Sequence, residues 1–404
     1  MKVLQLCNKP PQPIVDGGCI AINSIAKGLL SKKIDLTILT IATQKHPFEL
    51  SHFSDDFVKS THIEGVFVDT RINIIDAFSA LVTSDSYNIS RFFSADFNKK
   101  LIHLLENNDF DIVHLESLFM TPYIHTIRLF SDAKVVLRSH NLEHLIWERL
   151  ATSSGNKAKK IYLKHLASKL KKYEYQTINE VDGIAAISFD DTSRYQQLLK
   201  NVPLITIPFG VDLENYQLRT TSTVKPCAFF HIGSMEWKPN EEAVNWLLDE
   251  IWPEVAELPI TLHLAGRKMP SYIQNQATNN LIVYNEVADA IQFMAELDVL
   301  IAPLLSGGGM RIKIIEAMAL GKAVVTTTIG AEGIAYKNGE NIWIADTKEE
   351  IATAIKHLSE NPEKVKELGN NARKLIESTY DNDKIILKLI DFYNSLLPIH
   401  SSNN

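Results

Sequence analysis

The sequence predicts an α/β protein made of two doubly wound parallel-sheet domains that face each other across a cleft. Three observations carry this expectation. The chain has 404 residues, more than one ordinary hydrophobic core sustains and enough for two α/β domains of about 200 residues each. Its short apolar runs are continuous rather than alternating, the mark of strands covered on both faces, and amphipathic helical patterns separate them. The alternation breaks once, in a polar stretch, and then starts again.

In the first half, strands are expected at 3–7, 36–41, 65–68, 111–115, 134–137, 183–187 and 204–207. The break follows Gly210, Val211 and Asp212, where residues 217–225 include Thr220, Thr221, Ser222 and Thr223 and have the composition of a linker. Strands are expected again at 228–232, 260–265, 281–283, 299–303, 323–326 and 342–345, with helices beginning near Asn240, Asp289, Gly309 and Thr347. After Asp346 the chain reads as helical almost to its end, and Leu387, Leu389, Ile390 and Phe392 give the last helix an apolar face. The expected domains are therefore 1–215 and 216–380, followed by a closing helical segment over 381–404.

Hydrophobic residues make up 45% and charged residues 22% of the chain, a globular composition. A net charge of -7 and a pI near 6.0 offer no field that would draw in nucleic acid, so none is expected as a partner. Cys7, Cys19 and Cys227 are odd in number and widely spaced, as suits small core residues in a reducing compartment rather than disulfides or metal ligands. The opening strand runs straight into a Pro/Gly loop without the pattern of a signal peptide, and no apolar run approaches the ~18 residues of a membrane span. The expected location is the cytoplasm.

One segment is dense in lysine: Lys157, Lys159, Lys160, Lys164, Lys169, Lys171 and Lys172 surround a helical stripe of Leu163, Leu166, Leu170 and Tyr173. Such a helix can be an ordinary solvated face. With its stripe packed inward it can also show ammonium groups to anionic lipid, a peripheral contact at the inner face of a membrane.

Ligands of open α/β sheets bind beyond the carboxyl ends of the strands, so the chemistry is sought in those loops. The first loop ends in Gly17 and Gly18 just before a helix, where backbone N–H groups can approach an anion. The densest constellation lies in the second half, where the strand ending at Pro303 runs into Gly307, Gly308 and Gly309, then Met310, Arg311, Ile312 and Lys313, with Glu316 a turn later. Arg311 and Lys313 in a first helical turn oppose the helix dipole and so ask for a compensating anion, which a diphosphate supplies. Glu316 is then placed for paired ribose hydroxyls. Gly233, after the first strand of this half, leads to Lys238, which can reach a phosphate, with Pro239 suited to a helix start and Asn240 expected to cap it. Trp237 reads as packing. In the first half, His140 at a strand's end can hydrogen-bond a sugar hydroxyl, Asn141 after it reads as a helix N-cap, and Glu116 ends the neighbouring strand. No Cys/His set has metal-ligand spacing, so no protein-bound metal or cofactor is expected.

Together these residues resemble family four of the glycosyltransferases, enzymes of the two-domain, Rossmann-like B-type fold. The resemblance runs along most of the chain: Gly17-Gly18; Ser139-His140-Asn141; Ala185-Ala186-Ile187-Ser188; Ile207-Pro208-Phe209-Gly210-Val211-Asp212; Gly307 through Gly321 with Ala323-Val324-Val325; Gly330-Ala331-Glu332-Gly333-Ile334; and Asn338-Gly339-Glu340-Asn341. It implies a nucleotide-diphosphate sugar held mainly by the C-terminal domain, through Gly233, Lys238, Gly308, Gly309 and Glu316, with Gly17 and Gly18 of the N-terminal domain also on the donor side. It implies a glycan or lipid-linked acceptor held mainly by the N-terminal domain, near Glu116 and Asn141. Catalysis is then metal-independent, retains the anomeric configuration and uses His140, Arg311 and Lys313, and a final helix crosses back to the first domain. Bacterial surface-polysaccharide or glycolipid assembly is the implied setting.

Two departures from the family pattern stand out. The first of a pair of glutamates falls on Gly308, and the arginine usual after Gly233 is absent, Ser234 and Met235 following instead. The expectation is that Arg311 and Lys313 replace the missing cation, and that backbone N–H groups at Gly308 and Gly309 replace contacts of the missing carboxylate. A nucleotide-sugar epimerase and a non-catalytic nucleotide-sugar-binding protein are the alternative readings.

Overall fold

A computed structural model describes every residue except 15, 71–88, 90, 154, 219–226, 308 and 399–404, and the side chains of 153 and 158. The linker expected at 217–225 therefore lies mostly outside the described residues, as does Gly308. The chain divides into two compact units, Met1–Pro208 with Ile385–Asn404, and Phe209–Lys384.

The first unit is built on a seven-stranded sheet of β1 (Lys2–Cys7), β2 (Asp35–Ala42), β3 (Glu64–Phe67), β4 (Ile112–Glu116), β5 (Lys134–Ser139), β6 (Gly183–Ala186) and β7 (Leu204–Thr206). Its order is β3-β2-β1-β4-β5-β6-β7, with every pairing parallel. The chain leaves β1 towards one edge and returns beside it at β4, so the strand order reverses between these two. Helices α1 (Gly17–Ser31), α2 (Asp55–Thr61), α3 (Ala95–Asn107), α4 (Ile124–Phe130), α5 (Glu143–Ser153), α6 (Lys157–Thr177) and α7 (Phe189–Gln196) follow. Several open on side-chain caps: Asp16 for α1, Ser54 for α2, Ser94 for α3 and Ser188 for α7 each accept from a first-turn N–H.

Both faces of this sheet are covered, which is why its strands are apolar without alternation. One core gathers Leu4, Leu6, Val113 and Leu137 with Leu101, Ile127, Leu170 and Tyr195 of the helices. The other gathers Val3, Cys7, Ile112 and Val136 with Ile22, Ile25 and Leu29 of α1 and with Ile385, Ile386, Leu389 and Tyr393 from the end of the chain. The stripe of the lysine-rich helix α6 is buried at Leu163, Leu166 and Leu170, while Lys157, Lys159, Lys164 and Lys172 are exposed.

The second unit repeats the plan with six strands, β8 (Cys227–Ile232), β9 (Ile260–Ala265), β10 (Leu281–Val283), β11 (Val299–Ala302), β12 (Ala323–Thr326) and β13 (Trp343–Ile344), in the order β10-β9-β8-β11-β12-β13. Its helices are α8 (Lys238–Trp246), α9 (Trp252–Val255), α10 (Ser271–Gln274), α11 (Ala290–Ala295), α12 (Ile312–Ala319), α13 (Lys348–Glu360) and α14 (Pro362–Leu375), and α15 (Asn382–Leu396) carries the chain into the first unit. The two parallel, doubly wound sheets match the fold class predicted from the sequence.

Three local expectations are corrected. The helix after the glycine turn begins at Ile312 rather than near Gly309, because Gly307 and Gly309 hold φ of 102° and 80° and cannot be helical. Helix α8 begins at Lys238 with Trp237 at the N-cap position, so Asn240 lies inside it and its side chain bonds elsewhere. Asn141 does not cap α5: the amides of Glu143 and His144 are taken by Oε1 and Oε2 of Glu174, reaching over from α6 at 3.1 and 3.3 Å. Among the described residues no helix is long and apolar enough to cross a membrane.

Candidate functional site

Each unit gathers polar side chains at the carboxyl ends of its strands. In the first unit, Gln5, His114, Glu116 and Arg138 lie at paired or alternate positions of β1, β4 and β5, so they share one face of the sheet, the face that α1 and α15 cover. Gln5, His114 and Glu116 have no exposed surface and Arg138 is 1% exposed. Buried charges persist only when paired, and Glu116 is the hub. Its Oε1 accepts from Gln5 Nε2 at 2.8 Å and His114 Nε2 at 3.1 Å; its Oε2 accepts from Arg138 Nη1 at 3.2 Å and His140 Nε2 at 2.8 Å. Burial alone would raise this carboxyl, but Arg138, His114 and His140 together hold it well below the ordinary range.

An ionised carboxylate only accepts, which fixes the tautomers around it. His114 donates from Nε2, and its Nδ1 lies 2.6 Å from Tyr393 Oη of α15, which is equally buried. His140 likewise donates from Nε2, which leaves its Nδ1 as a hydrogen-bond acceptor. Burial, then the Arg138 charge, push the His140 imidazole below its usual pKa and keep it neutral. His140 is therefore suited to receive a hydroxyl proton's hydrogen bond. Glu116, expected to touch an acceptor, is fully buried and supports His140 instead.

Beside this network, Asp16 caps α1 by accepting from the N–H groups of Gly18 and Cys19 at 3.0 and 3.2 Å. The amides expected to meet an anion at Gly17-Gly18 are thus partly spent within the loop. Lys9 Nζ lies 3.1 Å from both Asp16 oxygens, and His46 Nε2 is 2.9 Å from Oδ2. A Cβ on Gly18 would come within 2.9 Å of Lys9 Nζ, so the glycine makes room for this pair. Burial would raise the Asp16 carboxyl, yet Lys9 and the donated hydrogen bonds hold it far below its usual value. Asp16, Cys19 and His46 bring one ligand-type atom each within 4.8 Å of one another, the one such trio found among the described residues, but the Asp16 oxygens are already engaged by Lys9 and His46. Glu143, two residues beyond Asn141, is pushed up to about 7 by burial and the neighbouring Glu174 charge, although the Asn141 side chain hydrogen-bonds it.

In the second unit the switch point falls between β8 and β11. Gly307 and Gly309 turn the chain after β11, and the Arg311 guanidinium folds back to donate from Nη1 to the Gly309 carbonyl at 2.5 Å. It lies over the Trp237 ring, 5.3 Å from the centroid, and is 5% exposed. Trp237, read from sequence as packing, is 38% exposed and flanks the glycine turn: a Cβ on Gly307 would meet its ring at 2.9 Å.

Lys313, in the first turn of α12, points under the end of β8. Its Nζ donates to the Ile232 carbonyl at 2.9 Å and to Asn240 Oδ1 at 2.8 Å, and sits 3.2 Å from His231 Nε2. His231 donates from Nδ1 to the Ile301 carbonyl at 2.8 Å, so Nε2 is the acceptor. Burial and the nearby Arg311 charge bring Lys313 down to about 7. Asn240 also donates to the Ser234 carbonyl at 2.9 Å, and Gly233 passes so near that a Cβ would lie 2.5 Å from Asn240 Nδ2. Lys313 thus braces the Gly233 turn. Lys238, by contrast, is exposed and paired with Glu241 at 2.7 Å. Tyr216 Oη donates to Glu316 Oε1 at 3.0 Å, and burial raises the Glu316 carboxyl against that bond.

The structure therefore brings Gly233, Gly309, Arg311 and Lys313 around the ends of β8 and β11, with Glu316 in the helix that follows β11, and leaves Lys238 outside the cluster. Sequence reasoning missed Lys9, Asp16, His114, Arg138, Glu143, His231, Tyr216 and Tyr393. The Lys9/Asp16 pair flanking the first glycine loop was a usable signal; the others depend on neighbours remote in sequence.

Residues 17–215 match the family model described as Glycosyltransferase Family 4, and residues 226–361 match Glycosyl transferases group 1. An uncharacterised 44.6 kDa protein in a cps region of Klebsiella pneumoniae is 27% identical over 296 residues, covering 69% of this chain and 73% of that protein. Sucrose-phosphate synthase from Thermosynechococcus elongatus superposes with a TM-score of 0.70 at 14% identity, over 98% of this chain and 99% of that one. Anabaena Alr3699/HepE in complex with UDP gives 0.64 at 16% identity, over 98% and 100%. The fold is the two-domain B-type architecture of glycosyltransferases, and both family models describe glycosyltransferases. The chain belongs to the family four glycosyltransferases.

Proposed function

We propose that this glycosyltransferase moves a sugar from a nucleotide-diphosphate sugar to a glycan or lipid-linked acceptor with retention of configuration, without a bound metal or cofactor. The observation that carries this reading is the cluster at the ends of β8 and β11. Two cations, Arg311 and Lys313, stand beside a glycine turn, one of them only half charged near pH 7 until an anion arrives. A diphosphate at that turn restores the lysine charge, and its departure from the sugar is stabilised by fixed cations rather than by solvent. Glu316 keeps one oxygen on Tyr216 and offers the other to a ribose hydroxyl.

The UDP bound by the Anabaena neighbour supports a nucleoside-diphosphate donor in this fold. The first unit supplies the acceptor side, where neutral His140 receives a hydroxyl hydrogen bond at Nδ1 and Glu143, pushed up to about 7 by burial and the Glu174 charge, is a partner for a proton. Work in surface-polysaccharide or glycolipid assembly at a membrane face suits the exposed lysines of α6.

The test is a panel of uridine-, guanosine- and thymidine-diphosphate sugars, without metal, read by thermal stabilisation and by slow release of nucleoside diphosphate. Stabilisation by one donor, lost in Arg311→Ala, supports the reading. A donor altered in its sugar with no diphosphate released identifies an epimerase instead, and silence across the panel refutes the donor site.

A further inference from the structure

Helices α5 and α6 form a hairpin, and with α7 they enclose an open groove of about 760 Å³ in the first unit. Three cations line it, Arg149, Lys171 and Arg194, against a single unburied carboxylate, Glu148. Lys171 Nζ is 3.8 Å from Glu148 Oε1 with both side chains over 40% exposed, a pair that yields readily to a stronger anion. The floor is apolar, from Leu142, Leu145 and Leu198.

His144 also lines the groove but is only 2% exposed. Glu174 holds it: Oε2 accepts from His144 Nδ1 at 2.5 Å as well as from its amide. The hydrogen is therefore on Nδ1, and Nε2 is the ring nitrogen left to an occupant. Towards the tip of the hairpin, Leu150 is 48% and Ile161 70% exposed, beside Lys157, Lys159 and Lys164. Apolar and cationic surface thus continue from the groove to the hairpin tip. Leu142, in its floor, is two residues from His140.

We propose that this groove binds the phosphate end of an amphipathic acceptor, a phosphorylated or diphosphorylated lipid. Arg149, Lys171 and Arg194 take the phosphate, and the hydrocarbon runs over the leucine floor. The inference rests on the glycosyltransferase reading and names the acceptor class it leaves open.

The test uses the full chain and titration calorimetry with farnesyl diphosphate, inorganic diphosphate and farnesol, alongside sedimentation with phosphatidylcholine vesicles with and without phosphatidylglycerol. Arg194 is exposed, and Lys171 is more than 40% exposed, so Arg194→Glu/Lys171→Glu retains the fold. Farnesyl diphosphate is expected to bind more tightly than either fragment, and the double variant to lose at least about tenfold, the scale of one charge-assisted hydrogen bond. UDP stabilisation is followed in the same samples. Its absence alongside intact farnesyl diphosphate binding would sink the donor site and leave the groove standing. No binding of farnesyl diphosphate, or binding unchanged in the variant, overturns the proposal. So does variant-sensitive binding of phosphatidylglycerol vesicles alone, which would assign the phosphate to a bilayer headgroup.

Discussion

Glu116→Gln tests whether the first unit depends on its buried charge hub. The substitution keeps the shape and removes the charge that balances Arg138, which is 1% exposed and has no route to solvent. Stranding one member of a buried pair costs about 3–5 kcal/mol. A new amide N–H facing Arg138 or His140 leaves that estimate standing, since those groups are donors already. At roughly 2–4 °C per kcal/mol for a unit of this size, the midpoint should fall by about 6–20 °C. The assay is urea and thermal unfolding followed through Trp147, the only tryptophan within residues 1–208 and 385–404, labelled as fluorotryptophan so that the second unit does not obscure it. Glu116→Gln/Arg138→Met removes both charges and should recover at least half of the loss. A loss under about 1 kcal/mol, or a double variant no better than the single one, would refute the charge-hub account.

Three further outcomes follow from the same geometry. Glu116 has a folded pKa below its ordinary 4.5, so its contribution is present above that pH and lost on acidification; the acid-induced fall in first-unit stability should be smaller in Glu116→Gln, as pH-dependent urea midpoints will show. Arg311→Ala should lower turnover by about two to three orders of magnitude with the fold intact, the scale of losing one preorganised charge at a leaving group, and near-normal turnover would remove Arg311 from the mechanism. Lys313 sits at about 7, so at pH 8 it is mostly neutral, and a bound diphosphate should pull its pKa up and take in up to about one proton. Calorimetry of UDP binding in buffers of different ionisation enthalpy reads that uptake, which Lys313→Met should abolish.

The sequence by itself determined the two parallel sheets, because strands buried on both faces must be apolar at every position and helices between them must follow. It also determined the region of the second-unit cluster, since three glycines between a strand and two cations are hard to explain as structure alone. It did not determine the geometry there. The helix was expected to open near Gly309, and only the left-handed backbone at Gly307 and Gly309 shows that Arg311 stands at its cap and folds over Trp237. Nor did it reveal the first-unit hub. His114 sat inside what reads as an apolar strand and Glu116 was singled out only as a residue at its end, and their partners Gln5, Arg138 and Tyr393 are 111, 22 and 279 residues away along their hydrogen bonds. Periodicity reports which face a residue takes, a property of its neighbours along the chain. Which charges meet across that face is decided by strand order and by the helix that returns from the far end of the chain, and these exist only in the folded unit.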